Sequence, residues 1–269
     1  MKKKRVIPVL LLKNGWLVQS KDFNRHKNLG NPVTAVRRLS EWASDEVIYI
    51  DISRGDTYDL RRDDLNHPNR GNPLDILEDV AKATFMPITF GGRIRTLTDI
   101  EARLSRGADK VSINTMAIDQ PDFIDEAARE FGSQCILVSI DVKTIDDQPV
   151  VVAEGGSRTT GLNPVTWAQT VERRGAGEIL LNSVDRDGAR NGFDIVLLNT
   201  VADAVKIPII ALGGCGEWGH FGEAFDKTSV DAVAAANIFQ HYDQSVYLAK
   251  NWLFSRGYNV RPPDLQLIE

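Results

Sequence analysis

Short apolar runs alternate with amphipathic stretches along the whole chain. The apolar runs are continuous and rich in Val and Ile, which is typical of parallel strands buried on both faces. They predict strands over residues 5–12, 46–52, 86–90, 109–114, 135–143, 177–183, 207–213 and 230–237.

The amphipathic stretches between these runs carry the start and stop chemistry of helices. Several begin with Pro or Thr and end at Gly. Examples are residues 32–44, 73–84, 96–107 and 121–132. Because strands and helices alternate through the chain, the pattern predicts an α/β protein with a parallel sheet.

One turn occurs twice in nearly the same form. The segments PITFGG (87–92) and PIIALGG (208–214) each end an apolar run on a glycine pair, and a helix-like stretch follows each. Glycine has no Cβ, so backbone N–H groups can close on an anion. The pairs Gly91–Gly92 and Gly213–Gly214 therefore predict two phosphate sites, one in each half of the chain.

The repeat extends beyond the glycines and sets the fold class. Residues 46–51 resemble 178–185, and residues 108–114 resemble 230–237. A spacing of roughly 120 to 130 residues is too long for a solenoid and fits half of a (β/α)8 barrel. We therefore predict a single (β/α)8 TIM-barrel domain over residues 1–269, with a half-barrel internal duplication, in preference to an open doubly wound sheet.

Composition agrees with an ordinary globular protein. Of 269 residues, 42% are hydrophobic and 26% charged, and the net charge of −5 argues against nucleic acid as the main partner. The run after the basic start is too short to span a bilayer and has no cleavage site. Cys135 and Cys215 lack CxxC spacing, so we expect reduced thiols in a cytoplasmic protein. None of the four histidines has ligand-like spacing with Cys or Asp, so we expect no metal. We expect neither membrane contact nor a cofactor.

Two irregular segments follow predicted strands. Residues 53–72 are polar and rich in turn residues, which fits either a lid or partner-contact loop or a solvated insertion. Residues 144–161 contain GGSRTTG, whose Arg158 and hydroxyls, Thr160 among them, resemble the donors of an anion-binding loop. A plain hairpin is the alternative for that segment.

Four charged residues open predicted strands one, two, four and six. Arg5, Glu46, Lys110 and Glu178 all precede Val or Ile runs. In a barrel they would meet at the floor, where the amino ends of the strands lie. Two cations and two anions would neutralise one another there, and simple closure of the barrel bottom would be reason enough for them.

Several segments together resemble the HisF family, the cyclase subunits of imidazole glycerol phosphate synthase. They are RVIP (5–8), FGG (90–92), KVSINT (110–115), SID (139–141), GAGEILL (175–181), DRDG (185–188) and GGCG (213–216). The resemblance covers the chain to about residue 261, and the DRDG loop with two glycine turns is specific to this family and its isomerase relative. It implies a barrel that binds a phosphorylated small molecule.

The resemblance also assigns candidate residues. Those for substrate and phosphate binding are Gly91, Gly92, Ser112, Asn114, Thr160, Asn182, Asp187, Gly188, Gly213, Gly214 and Asn237. Asp187 stands in a tight Asp-Gly turn, so a purely structural role is an equal alternative for it.

The acid–base pair of the family is incomplete in this chain. The family uses two facing aspartates, because ring closure needs both a proton donor and a proton acceptor. Asp141 matches the second, but Leu11 stands where the first belongs. A family lysine is replaced by Gln19, and the third glycine of the first turn by Arg93. Asp51, which ends the second predicted strand, is a further catalytic candidate; an N-cap or a lid salt bridge is equally consistent.

The floor charges match the family's ammonia gate. The resemblance implies that a HisH-like glutaminase docks there and feeds ammonia into the barrel, with Asp109 at the contact. The combination of an ammonia gate with an incomplete cyclase site resembles the HisF branch found in lipopolysaccharide gene sets. This resemblance implies that the chain supplies ammonia to a sugar amidotransferase that makes acetamidino groups. The alternatives are a histidine-pathway cyclase and a non-catalytic phosphosugar-binding barrel.

Overall fold

A closed barrel of eight parallel strands forms within residues 2–21, 23, 25–55, 57–59, 71–240 and 243–265, which the computed structural model describes. The strands in chain order are β1 (Arg5–Lys13), β2 (Trp16–Lys21), β3 (Arg25–Gly30), β4 (Val47–Asp51), β5 (Ile88–Gly91), β6 (Lys110–Ile113), β7 (Ile136–Ile145), β8 (Gln148–Ala153), β9 (Arg158–Thr159), β10 (Glu178–Ser183), β11 (Ile209–Leu212) and β12 (Ala232–Ala235). The barrel order is β1, β4, β5, β6, β7, β10, β11, β12, and β12 pairs with β1 to close it. The predicted barrel is therefore confirmed.

Helices cover the outside of the barrel. They are α1 (Pro32–Glu41), α2 (Pro73–Lys82), α3 (Leu97–Leu104), α4 (Thr115–Asp119), α5 (Asp122–Phe131), α6 (Pro164–Arg173), α7 (Ile195–Ala202), α8 (Trp218–Lys227) and α9 (Ser245–Ser255). Asn31, Asn72 and Asn163 cap α1, α2 and α6, each just before a proline. Such caps satisfy amides that have no partner inside the helix, which explains why the predicted starts were close. The predicted helix ends were one to three residues too late at each of the four segments.

Two hairpins were not among the predicted strands. β1 continues into the antiparallel pair β2–β3, and β7 continues into β8–β9. The segment 144–161 thus forms a hairpin, and anion binding by it stays a prediction. Because β1 and β7 are the first strands of the two half-barrels, the hairpins repeat the duplication that the sequence indicated. Much of the segment 53–72 lies outside the described residues.

Side chains point alternately outward and inward along each barrel strand, which divides the core into two layers. Val6, Leu10 and Leu12 belong to the large cluster between strands and helices. Ile7 and Val9 belong to a smaller cluster inside the barrel, and Leu11 packs against it. Since side chains alternate along a strand, Arg5 and Leu11 lie at opposite ends of one inward column.

The parallel strands give the barrel two distinct ends. The eight barrel strands all begin at the floor, beside Arg5, Lys110 and Glu178, and all end at the mouth, beside the glycine turns. No helix among the described residues is long and apolar enough to cross a membrane.

Candidate functional site

Asp141 lies on β7 at the mouth and is held by two amides. Asn182 donates to its Oδ1 at 2.8 Å, and Asn114 donates to its Oδ2 at 3.0 Å. The side chain is only 8% exposed, and this burial raises the pKa of Asp141 to about 6. A carboxyl group that titrates near neutrality can both give and take a proton.

Asn114 and Asn182, two predicted substrate contacts, are therefore committed to Asp141 by their amide nitrogens. Asn114 also donates to the Ser139 carbonyl at 3.1 Å. Their placement orients the carboxylate, while their amide oxygens face other groups; the Asn114 oxygen accepts from the Thr115 hydroxyl.

Asp51, the other catalytic candidate, is buried and bound to its own loop. Its Oδ1 accepts from the Ser53 amide at 3.0 Å and from the Ser53 hydroxyl at 2.5 Å. Its Oδ2 accepts from the Tyr58 hydroxyl at 3.0 Å, and Arg93 Nη1 lies 3.8 Å away. Burial, reinforced by the Asp51 charge, raises the pKa of Tyr58 well above its ordinary value. Asp51 thus contacts the loop after β4, as the salt-bridge alternative expects, and its part in proton transfer stays a prediction.

Leu11, which the resemblance places at the position of the first family aspartate, lies at the mouth end of the inward column of β1. It packs against the barrel-interior cluster together with Ile50, Leu212 and Ala236. Its surroundings are apolar, and its side chain offers Asp141 no proton donor or acceptor.

Asp187 is the carboxylate whose charge acts on Asp141, and it is engaged elsewhere. Its Oδ2 accepts from the Ser20 hydroxyl at 3.0 Å and from the Phe23 amide at 3.1 Å. Asn237 donates to the Ser20 carbonyl at 2.8 Å. The two predicted substrate contacts thus anchor the first hairpin across the mouth, a role that the sequence did not indicate.

The glycine turns are required by close backbone packing. A Cβ on Gly92, at φ +91°, would lie 2.1 Å from the Asp51 carbonyl oxygen, and one on Gly214, at φ +97°, would lie 2.1 Å from that of Gly192. The preceding glycines, Gly91 and Gly213, are closed in by Ser112 and Ser183 in the same way. Packing alone thus accounts for both pairs, and their anion binding stays a prediction.

Arg103 supports the first glycine turn and was missed by the sequence analysis. It is buried in α3, where Nη2 donates to the Gly92 carbonyl at 2.9 Å and Nη1 to the Asp99 carbonyl at 2.7 Å. The available signal was a cation three residues after Ile100, on the apolar face of the helix.

The remaining predicted ligands are occupied within the chain. Thr160 donates to the Val151 carbonyl at 2.6 Å and accepts from the Leu162 amide, so its hydroxyl serves the second hairpin. Arg158 pairs with Asp119 and Glu154 at the surface, and its role as an anion donor stays a prediction. Gly188 lies against Lys21 of the first hairpin.

The four floor charges form a closed ring. Arg5 bonds Glu46 through Nη1 at 2.5 Å and Glu178 through Nη2. Lys110 Nζ bonds the second oxygen of each, at 3.0 Å to Glu46 and 2.9 Å to Glu178. Each cation therefore touches both anions, across strands that are distant in sequence.

Mutual pairing decides the protonation of this ring. Burial opposes the charged forms, but the Glu178 and Glu46 charges outweigh it and raise the pKa of Arg5 and of Lys110. The same balance against Arg5 and Lys110 lowers the pKa of Glu46. These directions favour the charged forms of Arg5, Lys110 and Glu46. Removal of one ring member would leave a buried charge without compensation.

The surface around the ring carries two exposed features. Asp109, beside Lys110, is exposed and uses one oxygen to accept from the Ile88 amide at 2.8 Å. Asp231 does the same for Ile209 in the second half-barrel. Phe85, in the loop between α2 and β5, is 94% exposed at this end of the barrel.

Comparison with known proteins agrees with this geometry. A family model described as "Histidine biosynthesis protein" matches residues 5–246. Curated relatives include "Imidazole glycerol phosphate synthase subunit HisF" of Clostridium botulinum strain Okra, 41% identical over 260 residues that cover 96% of this chain and 98% of the relative. Those of strains Langeland and Kyoto are 40% identical over the same lengths.

Proposed function

The chain belongs to the HisF family of histidine-biosynthesis proteins, and from this premise we propose that it is an ammonia-receiving barrel subunit. Its partner is a HisH-like glutaminase that docks on the floor. The ammonia serves amidotransfer in the biosynthesis of a surface-polysaccharide sugar with an acetamidino group, not closure of an imidazole ring.

One contrast within the barrel carries the proposal. The floor ring is complete, with all four of its ion pairs formed. The mouth retains Asp141 but has Leu11 in place of its acid–base partner. Asp51 is bound by Ser53 and Tyr58, which supports a role in the loop after β4 rather than as a substitute for that partner. The barrel is thus equipped to receive ammonia and poorly equipped to cyclise.

The inward columns supply a path between ring and mouth. On β10, Glu178 belongs to the ring, Leu180 to the interior cluster, and Asn182 to the Asp141 contact. At about 3.3 Å per residue this is a path of about 13 Å. An apolar interior keeps ammonia neutral, because burial disfavours the ammonium ion, which is not a nucleophile.

The acceptor is a sugar derivative with an N-acetyl group. Formation of an acetamidine joins the ammonia nitrogen to the carbonyl carbon as C=NH, and the amide oxygen leaves as water with two of the ammonia hydrogens. We assign this step to a separate sugar amidotransferase, since Asp141 without an acid–base partner at Leu11 offers little catalytic machinery for it. The two glycine turns fit a phosphorylated molecule at the mouth.

A histidine-pathway cyclase is the second candidate, and the 41% identity to a HisF subunit favours it. The deciding experiment supplies ammonium salt and the histidine-pathway nucleotide to the wild-type protein and to a Leu11→Asp variant. Loss of one member of an acid–base pair costs about 10²–10⁴-fold in rate. We expect the wild type to be slow by that factor and Leu11→Asp to recover part of it, with Leu11→Asn as the uncharged control.

Wild-type turnover equal to that of an ordinary HisF subunit would overturn the amidotransfer proposal in favour of the cyclase. The partner is tested separately, by copurification of the chain with the HisH-like glutaminase of the same organism. Failure to form a complex, together with no effect of the chain on glutaminase turnover, would favour a phosphosugar-binding barrel.

A further inference from the structure

A buried ion pair lies directly behind the floor ring. Lys250 of α9 is 0% exposed, and its Nζ donates to Asp45 Oδ1 at 2.8 Å and to the Ala43 carbonyl at 2.8 Å. Asp45 is also buried, and its Oδ2 accepts from the Val6 amide at 2.9 Å. One carboxylate thus joins the C-terminal helix to the start of the first strand.

The neighbours of these residues are members of the ring. Val6 follows Arg5, and Asp45 precedes Glu46, and these two ring residues form the 2.5 Å pair. The Asp45 carboxylate therefore ties together the two backbone segments that carry the Arg5–Glu46 pair. It leaves Arg5 and Glu46 themselves free to pair with Glu178 and Lys110.

The C-terminal segment adds two further ties at the same place. The Lys4 amide donates to the Asn259 carbonyl at 2.8 Å, and Lys4 forms a bridge with Val260. Arg261 Nε lies 3.8 Å from Asp45 Oδ1. The chain end is therefore fastened to the residue just before Arg5.

We propose that the Asp45–Lys250 pair is a positioning element for the ring: it fixes the spacing of Arg5 and Glu46 and so keeps the floor closed until the glutaminase acts. Only the second part of this proposal, that the floor stays closed until the glutaminase acts, rests on the proposed function. The first half, mechanical coupling of Lys250 to the ring, holds or fails independently of any reaction.

The coupling is tested by a double-mutant cycle on urea unfolding, with Lys250→Met and Lys110→Met singly and together. Distant independent sites give additive changes. We expect the double variant to depart from additivity by about threefold or more in its unfolding equilibrium constant. The matched control is Glu172→Gln, which replaces a carboxylate that accepts from the Lys206 and Ile207 amides near the start of β11. Glu172 is not adjacent in sequence to any residue of the ring. This control should be additive with Lys110→Met.

The functional arm compares glutamine-dependent and ammonium-dependent amination of an N-acetyl sugar, with the chain, the glutaminase and the sugar amidotransferase all present. A displacement of about 1 Å at a distance from the chemistry can cost up to about 10²-fold. We expect Lys250→Met to lower the glutamine-dependent rate about tenfold or more while the ammonium-dependent rate stays within about twofold. Asp45→Asn, which keeps an acceptor for the Val6 amide, should show a smaller loss.

Additivity in the unfolding cycle overturns the positioning role. If coupling is present but both amination routes respond equally, the pair positions the ring without governing ammonia, and the gating half is overturned. If Lys250→Met does not fold, Asp45→Asn paired with Lys110→Met provides the same cycle. Absence of any glutaminase complex removes the proposed function and leaves the unfolding result standing.

Discussion

The side-chain amide of Asn182 donates to Asp141 across the β7–β10 pair at 2.8 Å, in a place where both residues are buried. The bond favours the ionised carboxylate, and burial disfavours it by more, so the pKa of Asp141 is raised to about 6. Ionisation of Asp141 therefore costs folding free energy.

The sign of that cost gives a pH prediction for Asp141. Because the folded pKa of Asp141 lies above its ordinary value, the contribution of Asp141 to stability is fully present below about pH 4. That contribution is lost as pH rises through about 6. The loss is on the order of 3 kcal/mol at most. The free energy of unfolding in urea should therefore fall between pH 4.5 and pH 8 in the wild type, and Asp141→Asn should abolish this part of the fall. The control Asp203→Asn, at an exposed carboxylate, should leave the pH profile of unfolding unchanged. If Asp141→Asn also keeps the wild-type profile, the prediction for Asp141 is wrong.

The first glycine turn should not tolerate a side chain. Gly92→Ala places a Cβ 2.1 Å from the Asp51 carbonyl, so the loop after β4 must move. We expect a loss of about 2–4 kcal/mol in the free energy of unfolding. Gly155→Ala has a similar positive φ but nothing within 4 Å, and should cost about 1 kcal/mol. Equal effects in thermal unfolding would show that packing does not explain Gly92.

The ring should matter more to glutamine-dependent than to ammonium-dependent transfer. Lys110→Ala removes one cation that pairs with both Glu46 and Glu178. We expect about 3–5 kcal/mol less stability and a large loss of transfer from glutamine, with transfer from ammonium salts preserved. Lys227→Ala, which breaks only a surface pair with Glu223, should change neither. Equal loss by both routes would reduce the ring to a structural closure.

Phe85 should contribute to docking of the glutaminase. Aromatic residues are enriched at the centres of protein interfaces, and Phe85 is 94% exposed on the floor. Phe85→Ser should weaken the complex by about 1–3 kcal/mol without lowering the stability of the barrel. Val196→Ser, at an exposed apolar residue near the mouth, is the control. Unchanged affinity by calorimetry for Phe85→Ser would place the interface elsewhere.

The two glycine turns should bind anions together. We expect a bisphosphate to bind at the mouth more tightly than inorganic phosphate in calorimetry, because the two turns lie on β5 and β11 in opposite half-barrels. Gly188→Val, against Lys21, should weaken the bisphosphate more than Gly155→Val does. No heat of binding for any bisphosphate would favour a barrel that only conducts ammonia.

The sequence determined the barrel, its duplication and the position of each barrel strand to within a few residues. It could do so because strands buried on both faces must be continuously apolar, and because caps such as Asn31 and glycine turns act within a few residues of themselves. Arg5, Glu46, Lys110 and Glu178 could be placed on one floor for the same reason: each begins a parallel strand.

Only the tertiary structure decided what those residues touch. The sequence left Asp51 open between catalysis and a loop contact, and the bonds from Ser53 and Tyr58 settled its partners. The Asp45–Lys250 pair joins residues 205 positions apart, and the Asp187 contact with Ser20 joins residues 167 apart. Such contacts depend on how the closed barrel brings distant loops together, which local pattern does not encode. Strand β3 was missed because it is polar and only partly buried, so no apolar run marks it. Strand β2 is mostly buried, but its apolar run covers only residues 16–18 before polar residues follow.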